Sequence, residues 1–144
     1  MKKYEFTGET KEIGGKILHR IRALIDIPEH DVKVGDLGGW IEAERNLSQK
    51  GAAWVTGSAW VTGKARVMKS SDCITIGAIG SRDDTTTFYR GTDGGIYVSC
   101  GCFNGTIDDF AAEVKQVHAG TKHERTYLLA IELAKAQIAT EEES

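Results

Sequence analysis

A single proline, Pro28, stands in 144 residues, against 17 glycines. That ratio excludes a polyproline or collagen-like chain and suits a strand-rich fold with many tight turns. No apolar run reaches the roughly 18 residues that a membrane-spanning helix needs. The basic start MKKYEFTGETKE is followed by no apolar core, so neither a membrane partner nor a secretory leader is expected. Cationic excess is also missing. Lys and Arg number 18 against 21 Asp and Glu, a net charge of -3, which excludes DNA binding by bulk charge. A pocket of two or three cations for one phosphorylated ligand stays open.

Catalytic signatures are missing as well. There is no HExxH, phosphate loop or GxGxxG, and no Ser/His/Asp order that spacing supports. Gly77, Gly80 and Ser81 form a glycine-rich turn without a phosphate-loop lysine, though its backbone N–H groups suit an anion. His19, His30, His118 and His123 are scattered. Cys73, Cys100 and Cys102 are odd in number and lack the CxxC spacing of a zinc site. They read as reduced, small apolar residues in a cytoplasm. No catalytic residue, metal or cofactor is assigned.

What is present divides the chain at about residue 70. In 1–70, Tyr4 and Phe6 alternate in a short strand ended by Gly14 and Gly15. From Lys16 to Ile27 the residues Ile17, His19, Ile21, Ala23, Ile25 and Ile27 share one face, read as inward. Leu18, Arg20, Arg22, Leu24 and Asp26 share the other. Short strands around the double glycine before Trp40 lead into GAAWVT, GSAWVT and GKARVM. Gly51, Gly57 and Gly63 recur at a period of six, as do Ala53, Ala59 and Ala65, and Val55, Val61 and Val67. That period predicts a short left-handed parallel β-helix, too short to bury its own faces. Trp54 and Trp60 fall at an outward position. They are either an apolar ridge at an oligomer interface or residues packed beneath the C-terminal helices.

In 71–144 the spacing predicts a small antiparallel sheet followed by a helical hairpin, so the whole chain reads as α+β. Thr106 with Asp109, and Thr121 with Glu124, fit N-caps with their N3 partners. Ile107, Phe110, Val114 and Val117 form one helical stripe, Gly120 closes that helix, and Tyr127, Leu128, Ile131, Ala134 and Ile138 form a second stripe. On the strands Ile96, Val98, Cys100 and Cys102 should meet the helices, leaving Tyr97, Ser99, Gly101 and Phe103 opposite. Tyr97 and Phe103 can stack on a base. Arg82, Arg90 and Arg125 can hold phosphate bidentately, and Ser81 and Asn104 suit a ribose or base edge. The same arginines also suit surface pairs with Asp83, Asp84 and Asp93.

The passages IGSR, TTTFYR and IYVSCGCFNGTIDDF, with the last helix HERTYLLAIELAKAQI, resemble the phage Thoeris anti-defence sponge proteins over about the last half of the chain. The front half resembles phage hexapeptide-repeat proteins. The resemblance implies a protein without catalysis, in a host bacterial cytoplasm, that sequesters cyclic ADP-ribose signals made by TIR-domain defence proteins. Some members also bind cyclic di- or trinucleotides. It implies homo-oligomers, dimers or larger, with ligands between subunits, and it carries the binding role onto Arg82, Phe103, Asn104 and Arg125. Two other functions fit the residues: an assembly protein built on the hexads, and a hexapeptide acyltransferase. The second lacks the several stacked turns and inserted loop that such enzymes use.

Overall fold

Gly14 and Gly15 both take positive φ, 56° and 81°, and turn β1 (Tyr4–Ile13) back into β2 (Lys16–Ala23). The computed structural model describes residues 2–80, 84–101 and 103–138. β1 carries an irregularity between Phe6 and Thr10, where Gly8 also has positive φ. β2 pairs on its other edge, antiparallel, with β3 (Leu37–Ile41), and β3 pairs parallel with β4 (Trp60–Val61). The second sheet, β5 (Cys73–Ile79), β6 (Asp84–Arg90), β7 (Ile96–Cys100) and β8 (Phe103–Thr106), is antiparallel throughout. Helices α1 (Ile107–Val117) and α2 (Lys122–Gln137) follow. The chain is thus a small α+β protein of two four-stranded sheets and two C-terminal helices.

The expected parallel β-helix does not form. Within the hexads only Trp60–Val61 is a strand, and a single bridge from Leu47 to Val67 adds to its parallel pairing. The reason lies at β3, whose far edge is occupied by antiparallel β2, so coil cannot stack on coil. The repeat still sets burial: Val55, Val61, Val67, Ala53 and Ala59 are fully buried. Its tryptophans are not an outward ridge, nor do they lie under the helices. Trp54 and Trp60 are each 5% exposed within a single chain. Trp54 belongs to the main core, with Tyr4, Ile21 and Ile41, and Trp60 packs with Leu18 and Trp40 on the opposite face of the first sheet. The single inward face read for β2 is corrected by the same fact. β2 is covered on both sides, so Leu18 is fully buried while Ile17 is 48% exposed.

The second sheet is the middle layer. Phe88, Val98 and Cys100 pack against Phe110, Val114, Tyr127 and Ile131 of the helices. Tyr89, with Cys73 and Tyr97 beside it, packs into the N-terminal core. Both helix starts follow the sequence signals. The Thr106 hydroxyl accepts from Asp109 N at 3.1 Å and the Thr121 hydroxyl from Glu124 N at 3.4 Å. Among the described residues no helix is long and apolar enough to cross a membrane.

Lys3 is fully buried, and its Nζ donates to the carbonyls of Ala53 at 2.6 Å and of Lys50 and Gly51 at 3.4 Å. These bonds pin the N-terminus to the start of the hexads. Burial lowers the amine from its ordinary 10.5 to about 8. Between those values the unfolded chain binds the proton that the folded chain has released, so this group's contribution to stability increases as pH rises from about 8 to 10.5. Lys3→Met abolishes that dependence. The stability of wild type relative to Lys3→Met, from urea melts, is expected to rise by about 1–3 kcal/mol between pH 7 and pH 10. A difference that stays flat over that range would refute the assignment. The buried Tyr4 hydroxyl, which burial pushes up instead, is common to both proteins and cancels in the comparison.

Candidate functional site

The chain reverses between Cys100 and Phe103, which pair across the turn. Gly101 makes the reversal possible with φ 57°. Cross-strand partners in an antiparallel pair point to the same face. Phe103 therefore lies on the helix side with Cys100, not opposite it beside Tyr97 as alternation along an unbroken strand predicted. The expected position of Cys102 lies outside the described residues.

This reversal opens a groove of about 510 Å³ between the sheet rim and the helical hairpin. Its sheet wall is Asp84, Cys100, Gly101, Phe103 and Asn104, and its helix wall is Phe110, Glu113, Val114, Val117, His118 and Tyr127. Phe110 is the hub. Its ring centroid lies 5.2 Å from Phe103, tilted by 50°, and 5.5 Å from Tyr127, edge-on. His118, the C-cap of α1, sits 5.4 Å from the Tyr127 ring. The groove is mixed in character, with aromatic walls, two carboxylates and one imidazole.

Cys100 is held as a thiol. Burial raises its pKa, against hydrogen bonds from Thr86 at 3.2 Å and from Tyr127 that act the other way. Tyr127 is pushed up to about 12, first by burial and then by Cys100. Both groups keep their protons near neutrality. The glycines of the expected anion-binding turn have another use. A Cβ on Gly80, whose φ is 84°, would run into the Tyr127 phenol, and one on Gly77 would meet the Thr85 hydroxyl at 2.9 Å. Their absence of side chain lets the β5–β6 end close on the groove wall.

The other expected site residues divide sharply. Phe103 and Asn104 line the groove. The Asn104 amide is also committed to the junction of the sheets, donating to the Tyr89 hydroxyl at 2.8 Å and accepting from Thr62 of the hexads at 3.0 Å. Tyr97 faces the N-terminal core; its hydroxyl donates to Asp93 at 2.5 Å, which raises it to about 12. Arg90 bonds Asp72 at 2.9 Å and lies outside the groove lining. Arg125 is exposed on α2 and is likewise not in the lining. Ser81 and Arg82 lie outside the described residues. Sequence reasoning missed Asp84, Glu113, His118 and Tyr127 as groove residues. One signal was available: Phe110, Glu113 and Val117 recur at helical spacing on the edge of the α1 stripe.

Among the described residues no group of three or more His, Cys, Asp or Glu converges as a metal site. Comparison of the sequence with protein-family profiles and with curated proteins gives no match.

Proposed function

We propose that this protein binds a cyclic ADP-ribose-type nucleotide in the groove and holds it unchanged, as the sponge proteins it resembles do in the cytoplasm of an infected bacterium. The observation that carries this reading is the wall made by Phe103 with Phe110 and Tyr127 around a volume of about 510 Å³. That size suits a small organic ligand, and Phe103 offers a face to adenine. Arg82 and Arg125 are taken from the resemblance alone; Arg125 is exposed on α2, on another side of the helix from Tyr127 and outside the groove lining. They are the cations assigned to the pyrophosphate. Cyclic di- and trinucleotides are the second ligand class that this reading admits. Assembly into dimers or larger oligomers draws on Leu129 and Leu133, 61% and 50% exposed one turn apart on α2, since the tryptophans are used inside the chain.

The test is retention followed by release. Protein incubated with cyclic ADP-ribose or its glycosidic isomers, washed and heated should return the intact ligand by mass spectrometry. Phe103→Ala should retain at least about ten-fold less, the loss of one stacked base. Converted ligand in the supernatant would mean an enzyme, and no retained nucleotide from any isomer would end the proposal.

A further inference from the structure

The groove's formal charges have one sign. Asp84 opens β6 on the sheet wall, and Glu113 lies one turn beyond Phe110 on the helix wall. Among the described lining residues there is no Lys or Arg, and His118 is the group able to offset them. Among the described residues neither carboxylate is engaged in an ion pair. Asp84 lies beside the turn: a Cβ on Gly101 would sit 3.1 Å from its Oδ2.

Resting on the nucleotide-holding function above, we propose that Asp84 and Glu113 are specificity residues that read the hydroxyl-bearing sugar face of the ligand and exclude phosphate from that end. A carboxylate only accepts hydrogen bonds. Ribose hydroxyls and the exocyclic amine of adenine donate them, so each finds an acceptor on either side of the aromatic wall. Phosphate oxygens only accept, and a phosphate at this position would meet two like charges, half-buried Asp84 and exposed Glu113. The pyrophosphate must then point out of the groove.

The experiment is calorimetric titration of the full chain with cyclic ADP-ribose and with cyclic ADP-ribose 2′-phosphate, for wild type, Asp84→Asn and Glu113→Gln. Both substitutions are isosteric, and matched thermal melts confirm folding. Wild type should favour the unphosphorylated ligand by at least about ten-fold, the scale of one charge-assisted hydrogen bond. Each variant should lose about ten-fold for that ligand while holding or gaining affinity for the 2′-phosphate, so that the preference narrows. Variants that bind both ligands as wild type does, or weaken both alike, overturn the inference and leave the proposed function standing. Wild type that binds neither ligand, nor any isomer, removes the proposed function and this inference with it.

Discussion

Gly39→Ala is expected to destabilise the fold by about 3 kcal/mol or more, in the range of overpacking with no room to relax. Its added methyl would meet the carbonyl oxygens of Thr56 and Ala59, the latter at 2.5 Å, and the Val55 Cγ1 at 2.7 Å. Two of the three are backbone atoms, and they belong to the seam itself. Gly39 N donates to Val55 O at 2.7 Å, and Trp40 N to Ala59 O at 3.0 Å. A methyl there cannot be accommodated by a rotamer change. It must push the hexad segment off β3 and break these bonds. Gly38→Ala should be milder, because its closest neighbours are the Trp54 and Ile21 side chains. Gly57→Ala is the control, since nothing lies within 4 Å of the added carbon. Urea melts of the three variants should rank Gly39, then Gly38, then Gly57 near wild type. Insoluble Gly39→Ala beside soluble Gly57→Ala is the same ranking in its extreme form. A Gly39→Ala protein within about 1 kcal/mol of wild type would remove the seam from this role.

The double glycine also explains why the hexads were misread. Period six marks which residues point inward, and Val55, Val61 and Val67 obey it. What stacks on that surface is a long-range matter. Here it is β3, approached closely because Gly38 and Gly39 have no side chains, and the antiparallel edge behind it stops propagation. Local signals travelled better. The Thr106 and Thr121 caps depend on residues three apart and were legible as written. So was the packing of Val98 and Cys100 against the helices, an alternation within an unbroken strand.

The groove was half legible for the same reason. Phe103 and Asn104 were singled out, yet Phe103 was placed on the wrong face because no period reveals the reversal at Gly101. Tyr97, assigned to the same face, instead spends its ring on Tyr89 at 6.2 Å and its hydroxyl on Asp93. In the sequence Asp84 suits a surface pair with the arginines, and Glu113 is given no role. They become groove residues only when α1 folds back over β8, a contact between elements that composition does not announce. Arg90, expected at phosphate, faces the carboxylate of Asp72 just before β5, and that pairing carries a consequence of its own.

Asp72→Ala is the second large effect, expected at about 3 kcal/mol, the lower end for breaking a buried ion pair. Asp72 is 2% exposed and serves three donors. Its Oδ1 accepts from Arg90 Nε at 2.9 Å, and its Oδ2 from Met68 N at 3.0 Å and Lys69 N at 3.2 Å. Truncation takes the acceptor from all three at once, where no water replaces it cheaply. The site is also the seam between the halves. Arg90 O accepts from Arg66 N at 2.8 Å, and Thr92 N donates to Lys64 O at 2.8 Å. Because Tyr89 lies in the N-terminal core, loosening this seam disturbs both sheets, and the loss should appear as one cooperative transition moved to lower urea. Asp72→Asn retains an oxygen for the backbone donors and should lose less, about half as much, because only the carboxylate charge facing Arg90 is removed. Equal losses for Asp72→Ala and Asp72→Asn would assign the effect to charge alone. A shift below about 1 kcal/mol for Asp72→Ala would show that the seam is held by the strands and not by this carboxylate.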